Sequence, residues 1–359
     1  MKSKLCLVAT CFIIASTLML ISCGKSAATS NTTTNVSQTS QPSSSSTTGL
    51  SNTGNIKVTA TIAVSNGAGA LAYDPNQNDV FVINGGNLPV SVISDATNVI
   101  AQGAFGGTGA NYVAYDSGKN EFFVTSNKYY NGWIISGSTF AQVGTIIVPP
   151  QGIYIPAGIV YDSNKNEIFV ADGGGKTLLV IDDSTGNVLT SISMTSGPGG
   201  LAYDSGKNEI FVVSGNNVSI ISDSTNSLLA TVALPAQSDP YALAYDSNKG
   251  EVFAADFYSG AVSIISDSTN QVVATVTLPK LSEPSAIVYD SGAGYVFVTC
   301  PGTSSAPGTV AVISDKTNAI VTTVPVGTGP NGLVYDSAKN EVFVSNGIDN
   351  TVSVISDAH

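Results

Sequence analysis

The residues that most enzymes use for proton transfer, nucleophilic attack and metal binding are scarce in this 359-residue chain. His359 is its one histidine and its last residue, and all 13 basic residues are lysines. An internal histidine is the usual general base and the commonest metal ligand in proteins, so neither role has its ordinary candidate. Cys300 is the only one of the four cysteines outside the first 23 residues. We therefore predict a non-catalytic protein that uses no cofactor and no metal.

Carboxylates could still bind calcium, because this ion needs only oxygen ligands. An aspartate follows each of seven recurring tyrosines, from Tyr73-Asp74 to Tyr335-Asp336. Each precedes a short polar run, where its carboxylate is expected to accept hydrogen bonds from the backbone N–H groups of a turn. No Asp-x-Asp-x-Asp run occurs in the sequence. The turn role is the simpler interpretation, and a calcium site stays an alternative.

The charge of the chain argues against nucleic acid and anionic membranes as partners. Its 25 acidic residues outnumber its 13 lysines, which gives a net charge of −12. Such a surface repels the phosphates of a duplex and the headgroups of an anionic bilayer. The glycine-rich segment 173–177 joins two predicted strands, whereas a phosphate-binding loop leads into a helix. We therefore expect no nucleic-acid or nucleotide ligand.

A repeat of 42 to 46 residues organises the chain after its N-terminal segment. It is marked by a Tyr-Asp pair and by a phenylalanine eight residues after the tyrosine. The tyrosines are Tyr73, Tyr115, Tyr161, Tyr203, Tyr245, Tyr289 and Tyr335, and the phenylalanines are Phe81, Phe123, Phe169, Phe211, Phe253, Phe297 and Phe343. Such a period is typical of propellers and of helical arrays. The alternation of apolar and polar residues, as in 341–345 and 351–356, is typical of strands and favours a propeller.

Each repeat divides into four short strands, which in the fifth copy are 242–245, 251–255, 261–266 and 271–278. Stacking four-stranded sheets around an axis buries their faces against each other and leaves only short edges. We therefore predict an all-β fold, a seven-bladed β-propeller over residues 56–359, with the repeated tyrosines and phenylalanines between the blades. The seventh copy ends after its third strand, and residues 56–64 are predicted to supply the missing fourth one.

The N-terminal segment predicts export. Two lysines precede an apolar run from Leu5 to Ile21, which is the pattern of a secretory signal in residues 1–23. The quartet Leu20-Ile21-Ser22-Cys23 resembles a bacterial lipobox, and this resemblance implies cleavage before Cys23 and lipid on that residue. An uncleaved anchor is the alternative. Residues 24–55 are predicted to be a disordered Ser/Thr/Asn-rich tether. Either reading places the propeller at the cell envelope, in contact with the membrane only through its N-terminus.

Segments in every repeat resemble the YVTN family of β-propeller repeats. The seventh copy shows this in Asn340-Glu341-Val342-Phe343-Val344-Ser345-Asn346 and again in 350–357, and the segment 320–332 shows it as well. The likeness spans residues 56–357, although Tyr-Val-Thr-Asn reads Phe-Val-Ser-Asn here. It implies an exported propeller of the surface-layer type, and it implies no single activity because a fold does not fix a function.

Comparison of the seven copies separates two faces of the predicted ring. The turns after Tyr-Asp and after the third strand barely change and share one face, called the turn face below. The other loops vary in length and share the opposite, loop-variable face. Extra aromatic residues collect in these loops: Tyr129, Tyr130, Trp133, Tyr154, Tyr241, Phe257 and Tyr258. Exposed rings with polar tips suit contacts with protein or sugar, although they could instead fold over the blade edges and close the channel mouth.

Three functions remain compatible with these observations. The favoured one is a cell-surface binding module that contacts an envelope protein or glycan through its loop-variable face. The second is a structural component of an envelope or surface layer. The third is an exported lactonase- or lyase-like enzyme, which is least favoured because the predicted inner strands are small and apolar, as in Ala242-Leu243-Ala244-Tyr245.

Overall fold

The computed structural model describes residues 56–85, 90–104, 109–128, 131–147, 153–279, 282–302 and 306–356. All regular structure in these residues is β-strand, arranged as seven sheets of four antiparallel strands. Six sheets are meanders of four consecutive strands, and the seventh combines three strands with the first described strand. The predicted all-β class and the four-stranded blades are confirmed. We number the blades 1 to 7 in the order of their innermost strands.

The strand bounds follow the repeat. β1 is Lys57–Ala63 and belongs to blade 7. Blade 1 contains β2 (Ala68–Asp74), β3 (Asp79–Asn84), β4 (Val90–Ser94) and β5 (Val99–Ala104). Blade 2 contains β6 (Ala110–Asp116), β7 (Glu121–Ser126), β8 (Asn131–Ser136) and β9 (Gln142–Ile146). Blade 3 contains β10 (Pro156–Asp162), β11 (Glu167–Asp172), β12 (Thr177–Asp182) and β13 (Val188–Ser193).

Blade 4 contains β14 (Pro198–Asp204), β15 (Glu209–Ser214), β16 (Asn217–Ser222) and β17 (Ser227–Ala233). Blade 5 contains β18 (Pro240–Asp246), β19 (Glu251–Asp256), β20 (Ala261–Ser266) and β21 (Gln271–Thr277). Blade 6 contains β22 (Ile287–Asp290), β23 (Tyr295–Cys300), β24 (Thr309–Ser314) and β25 (Ala319–Pro325). Blade 7 contains β26 (Pro330–Asp336), β27 (Glu341–Asn346) and β28 (Thr351–Ser356) with β1.

The innermost strands form a closed ring. Each first strand packs beside the first strand of the next blade, in the order β2, β6, β10, β14, β18, β22 and β26. The contact between β26 and β2 completes the circle. The blades therefore surround a single axis, and the predicted seven-bladed β-propeller is confirmed.

The two ends of the propeller share one sheet. β1 pairs antiparallel with β28, with Lys57 opposite Ser356 and Ile62 opposite Val352. The order in blade 7 is β1-β28-β27-β26, so the N-terminal strand is the outermost. The prediction that residues 56–64 complete the last blade is confirmed. Because the ring cannot open here without breaking this pairing, β1 fastens blade 7 to the start of the chain.

The repeated phenylalanines fill the space between blades, as the sequence predicts. All seven are fully buried. Phe343 of blade 7, for example, packs in one cluster with Leu71 and Val80 of blade 1. Burial of an aromatic side chain of this size stabilises a fold by roughly 3–5 kcal/mol relative to alanine. The repeat of the sequence is thus a repeat of the interface between blades.

The constant turns have a backbone that explains their composition. The residue five positions after each tyrosine of Tyr-Asp lies in the left-handed region, with φ from 55° to 72°. It is asparagine in five copies and glycine at Gly250 and Gly294, which are the residue types that adopt this region most readily. The preceding aspartate closes the turn: Asp116 Oδ1 accepts hydrogen bonds from Gly118 N at 2.7 Å and Lys119 N at 3.2 Å. The predicted turn role of these aspartates is confirmed.

The N-terminal predictions concern residues outside the described part of the chain. They comprise the signal in 1–23 with Cys23 and the tether in 24–55. Among the residues that the structure describes, no helix is long and apolar enough to cross a membrane.

Candidate functional site

A cavity of about 460 Å³ runs along the axis of the propeller. Every blade contributes to its wall through the first half of its innermost strand, and blade 6 also through Ser285 and Ala286, which directly precede β22. The lining residues are Gly69, Ala70, Leu71, Asn111, Tyr112, Val113, Ala157, Gly158, Ile159, Gly200, Leu201, Tyr241, Ala242, Leu243, Ser285, Ala286, Ile287, Asn331, Gly332 and Leu333. All of them are uncharged. The cavity is therefore a neutral channel in an acidic protein.

Small residues line the channel because seven strands converge on its axis. A Cβ atom at Gly200 would lie 2.6 Å from the carbonyl oxygen of Tyr241 in the next blade. At Gly332 it would lie 2.4 Å from the carbonyl oxygen of Gly69. Both distances are shorter than real Cβ contacts, so the backbones of neighbouring blades approach closely only where the side chain is missing. The glycines therefore set the width of the channel.

Tyr112 is the one large residue at its repeat position in the channel wall. The corresponding residue of every other blade, three positions before the tyrosine of Tyr-Asp, is alanine or glycine. The phenol of Tyr112, from blade 2, meets that of Tyr241, from blade 5. Burial raises the pKa of Tyr112, and the neighbouring Tyr241 hydroxyl raises it further, so the Tyr112 phenol stays protonated. Two blades on opposite sides of the ring thus touch across the channel.

Tyr241 also begins a strip of aromatic rings on the loop-variable face. Its ring centroid lies 6.1 Å from that of Phe257, which in turn lies 5.5 Å from that of Tyr258 in an edge-on arrangement. Tyr241 is 49% exposed and Tyr258 is 72% exposed. We call Tyr241, Phe257 and Tyr258 the aromatic strip. It forms a continuous surface with Tyr112, because Tyr241 belongs to both the strip and the channel wall.

The backbone under the aromatic strip is held by the connection that enters blade 5. Phe257 N donates to the carbonyl oxygen of Asp239, and Tyr258 N donates to that of Ser238, each at 3.2 Å. These bonds join the loop after the second strand to the loop that precedes the first. The backbone that carries Phe257 and Tyr258 is therefore held before any ligand arrives, which lowers the backbone part of the entropy cost of binding.

Asp256 lies directly before the strip and is buried. Its Oδ2 accepts a hydrogen bond from Ser263 Oγ at 2.6 Å. Burial raises the pKa of Asp256 to about 6, while hydrogen bonds from Ser263 and Ser238 counteract part of the rise. The carboxylate thus changes charge in a mildly acidic range, next to the loop that carries the aromatic rings.

Of the other predicted aromatic residues, the structure describes Tyr154 and Trp133, and neither belongs to the loops that carry the strip. Tyr154 is 49% exposed in the connection to blade 3, where its N donates to Asp172 Oδ1 at 3.0 Å. Tyr129 and Tyr130 lie outside the described residues. The placement of Trp133 in an exposed loop was wrong. It lies within β8, is 7% exposed and packs in the core between blades 1 and 2, because the third strand of blade 2 already starts at Asn131.

The turn face carries charged residues, and they link neighbouring blades. A lysine four positions after the tyrosine of Tyr-Asp reaches the turn after the third strand of the next blade. Nζ-to-Oδ1 ion pairs of this kind join Lys119 to Asp183 at 2.5 Å, Lys207 to Asp267 at 2.9 Å and Lys339 to Asp95 at 2.9 Å. Lys165 and Lys249 donate instead to the main-chain carbonyls of Asp223 and Asp315. These lysines therefore act as struts between blades.

Blades 1 and 6 lack this lysine, and the junction between blades 1 and 2 shows how the link can form without charges. Blade 1 has Gln77 at the lysine position, and blade 2 has Gly137 at the aspartate position. Gln77 Nε2 donates to the carbonyl oxygen of Gly137, so the link persists without charges. At this junction the cation and its carboxylate partner are both missing, whereas blade 6 has Ala293 at the lysine position although the sequence of blade 7 keeps Asp357 at the aspartate position.

Tyrosines of the repeat complete the same junctions. Tyr115 Oη donates to Asp74 Oδ1 of the preceding blade at 2.7 Å. Burial, and then this aspartate, raise the pKa of Tyr115. The same two causes raise the pKa of Tyr73, Tyr161, Tyr203, Tyr245 and Tyr289, each with the aspartate of its own preceding blade. The phenols therefore remain hydrogen-bond donors at neutral pH, and their role is to join blades.

Among the described residues, Asp95, Asp336 and Glu341 bring three carboxylates close enough to surround a cation, with oxygens within 4.8 Å of one another. The ammonium group of Lys339 already lies in this cluster, 2.9 Å from Asp95 Oδ1. The positive charge that such a group of carboxylates requires is thus supplied by the protein. This arrangement agrees with the structural interpretation of the aspartates rather than with a calcium site.

Comparison of the chain with protein-family models and with curated proteins finds no match. The geometry alone therefore shows a seven-bladed propeller with a neutral channel and an exposed aromatic strip at one of its faces.

Proposed function

We propose that this protein is an exported binding module that recognises an envelope protein or glycan through its loop-variable face, without catalysing a reaction. The observation that carries the proposal is the aromatic strip beside the uncharged channel. Exposed tyrosine contributes large contact area together with a hydroxyl, which suits recognition of a wet surface. Among the aromatic residues that the structure describes, Tyr258 is the most exposed, at 72% of its surface.

The absence of catalysis is proposed from the sequence. His359 is the single histidine, and the repeated carboxylates are engaged in turns and inter-blade links on the turn face. In the described part of the chain, the carboxylates beside the aromatic strip belong to the buried Asp256, whose Oδ2 accepts a hydrogen bond from Ser263 Oγ, and to the exposed Asp239, and no histidine accompanies them. This supports a surface that binds rather than transforms its partner.

Attachment to a membrane is proposed through Cys23. The resemblance of Leu20-Ile21-Ser22-Cys23 to a lipobox and of the repeats to the YVTN family supports a lipoprotein at the cell surface. Mass spectrometry of the protein from its membrane fraction tests this idea: a diacylglyceryl adduct on Cys23 at a new N-terminus is expected. An unmodified cysteine that follows an intact signal would support the anchor alternative.

Capture from solubilised envelopes tests the binding function. The full chain is immobilised, and bound material is compared between the wild type, Tyr258→Ala and Leu229→Ala. Leu229 is an exposed apolar residue on the outermost strand of blade 4, so it serves as a control for loss of apolar surface elsewhere. We expect capture to be lost only with Tyr258→Ala. Equal capture by all three proteins would contradict the proposal.

A structural role in a surface layer is the second candidate, and the outer strands favour it. β5, β9, β13, β17, β21 and β25 contain no charged residue. Exposed sheet edges are usually protected by lysine or proline, since unprotected edges can pair with another chain. Leu228, Leu229 and Val273 are exposed on these strands. Electron microscopy of the full chain would support this candidate if ordered sheets form and Leu229→Lys abolishes them.

A further inference from the structure

We propose that the channel mouth binds the end of a neutral glycan chain. This inference rests on the function proposed above and names the ligand class of the same site. The surface concerned combines the aromatic strip with the polar side chains of the channel wall, which are Asn111, Tyr112, Tyr241, Ser285 and Asn331. Each of the following properties of this surface selects against another class of small ligand.

The absence of charge selects a neutral ligand. None of the residues that line the channel carries a charge at neutral pH, and burial raises the pKa of the Tyr112 phenol above its ordinary value. A carboxylate or ammonium group that binds in this channel would lose its hydration and gain no partner of opposite charge. This loss costs free energy. The net charge of −12 adds repulsion against anionic ligands such as uronic-acid chains.

The position of the polar groups selects a ligand that carries hydroxyls. Asn111, Tyr241, Ser285 and Asn331 occupy the same place in four repeats, four residues before the tyrosine of Tyr-Asp. They therefore lie at one level of the channel wall. Amides and hydroxyls both donate and accept hydrogen bonds, as the hydroxyls of a sugar do. A purely apolar ligand would displace water from this level of the wall without replacing the hydrogen bonds of that water, at a cost for each bond lost.

Two of these polar groups are held in place by neighbours. Asn331 Oδ1 accepts a hydrogen bond from Ser345 Oγ at 2.7 Å, which fixes the direction of the amide. The Ser285 hydroxyl lies 3.2 Å from Thr299 Oγ1. Such second contacts orient a binding group before the ligand arrives and favour recognition of one arrangement of hydroxyls.

The aromatic strip supplies the apolar half of a sugar site. One face of a pyranose ring carries mostly C–H groups, while its hydroxyls point outward around the rim. The rings of Tyr241 and Tyr258 can cover the C–H face, while the polar residues of the channel wall bond the rim. Tyr241 connects these two parts, since it contacts Phe257 on the strip and Tyr112 within the channel.

The size of the channel selects the end of a chain rather than its middle. Its volume of about 460 Å³ falls in the lower part of the range for small-molecule sites, roughly 300–1,000 Å³. Tyr112 narrows the passage at the level where all other blades have alanine or glycine. A terminal sugar can therefore enter from the loop-variable face and rest on the Tyr112 phenol, while the following sugars lie along the strip.

The test uses an array of neutral hexose oligosaccharides and matched uronic-acid oligosaccharides, followed by calorimetric titration of the full chain with the best neutral binder. Tyr112→Phe removes one hydroxyl and is expected to weaken affinity about fivefold. Tyr258→Ala removes a stacking ring and is expected to weaken it roughly tenfold. Leu229→Ala should leave affinity unchanged, and melting curves verify that all variants fold.

The outcomes separate this inference from the function on which it rests. Binding of neutral oligosaccharides that falls in Tyr112→Phe and Tyr258→Ala supports the inference. If no neutral oligosaccharide binds, or if uronic-acid chains bind equally well, the inference is overturned. In that case envelope capture that still requires Tyr258 would leave the binding function intact with a protein partner, whereas capture independent of Tyr258 would overturn both.

Discussion

Lys339 Nζ of blade 7 lies 2.9 Å from Asp95 Oδ1 of blade 1, so that an ion pair joins the last blade of the chain to the first. The same lysine donates from Nζ to the main-chain carbonyl of Asp95 at 2.5 Å. Asp95 is buried, whereas the lysine side chain is 41% exposed. The pair therefore fastens the ring at the turn face, in addition to the pairing of β1 with β28.

Loss of this lysine should destabilise the ring in a pH-dependent way. In Lys339→Ala, the carboxylates of Asp95, Asp336 and Glu341 lose their counter-charge, and we expect the free energy of unfolding at pH 7 to fall by roughly 1–3 kcal/mol. Burial raises the pKa of Asp95 and Lys339 lowers it, so the variant should bind a proton more readily. The loss should consequently shrink at pH 4. Denaturant titrations at both pH values measure it.

Lys316→Ala is the matched control for that variant, because Lys316 is exposed in the turn after the third strand of blade 6. It should change stability by less than about 0.5 kcal/mol. Equal losses in the two variants, or a loss in Lys339→Ala that grows toward acid pH, would contradict the strut role.

Glycines of the inner strands should differ sharply in their tolerance of a methyl group. At Gly200 a Cβ would lie 2.6 Å from the carbonyl oxygen of Tyr241, whereas at Gly69 its nearest neighbour would be 3.6 Å away. We expect Gly200→Ala to cost about 1–3 kcal/mol through overpacking, and Gly69→Ala to be nearly neutral. Thermal melts of the two variants compare them directly. The prediction fails if both glycines tolerate alanine equally.

Protonation of Asp256 should stabilise the protein as the pH falls. Burial raises the pKa of this group to about 6 in the folded state, above its ordinary value of 3.8. The folded state therefore holds a proton that the unfolded state has lost, and stability declines as the pH rises from about 4 through 6. Unfolding free energies measured from pH 4 to 7 should show this decline in the wild type.

Asp256→Asn removes the titrating group while it keeps the shape of the side chain. The variant should show a shallower decline between pH 4 and 7, and its stability at pH 7 should equal or exceed that of the wild type. Asp239→Asn is the control, since Asp239 is an exposed aspartate of the adjoining connection. A pH profile that is unchanged in Asp256→Asn would assign the decline to other carboxylates.

The architecture could be derived from the sequence because its determinants repeat. Seven Tyr-Asp pairs and seven phenylalanines mark the blades, and the missing last strand of the seventh copy identifies the role of β1. The sequence also contains a sign of the links between blades, because Gln77 and Gly137 replace a lysine and an aspartate at positions that contact each other. This sign is easily overlooked, since each of the two residues is also compatible with its own turn. The contact between the two blades was therefore not predicted from the sequence.

The candidate site was less accessible to sequence analysis. Tyr241, Phe257 and Tyr258 were found because they lie in variable loops, whereas Tyr112 was missed although it stands alone among alanines and glycines at its repeat position. Its contact with Tyr241 depends on blades 2 and 5 lying across the ring. Trp133 was misplaced because the glycine before it resembles a loop residue, while the structure extends β8 over both.

The most direct test of the binding site is a spectrum of the full chain labelled with ¹³C-tyrosine, recorded during titration with the best neutral oligosaccharide from the array. Of the 14 tyrosines, Tyr112, Tyr241 and Tyr258 should shift, and the tyrosines of the inter-blade junctions, such as Tyr115 and Tyr289, should not. Shifts confined to the junction tyrosines, or saturable binding that moves none of the three, would contradict a glycan site at the channel mouth.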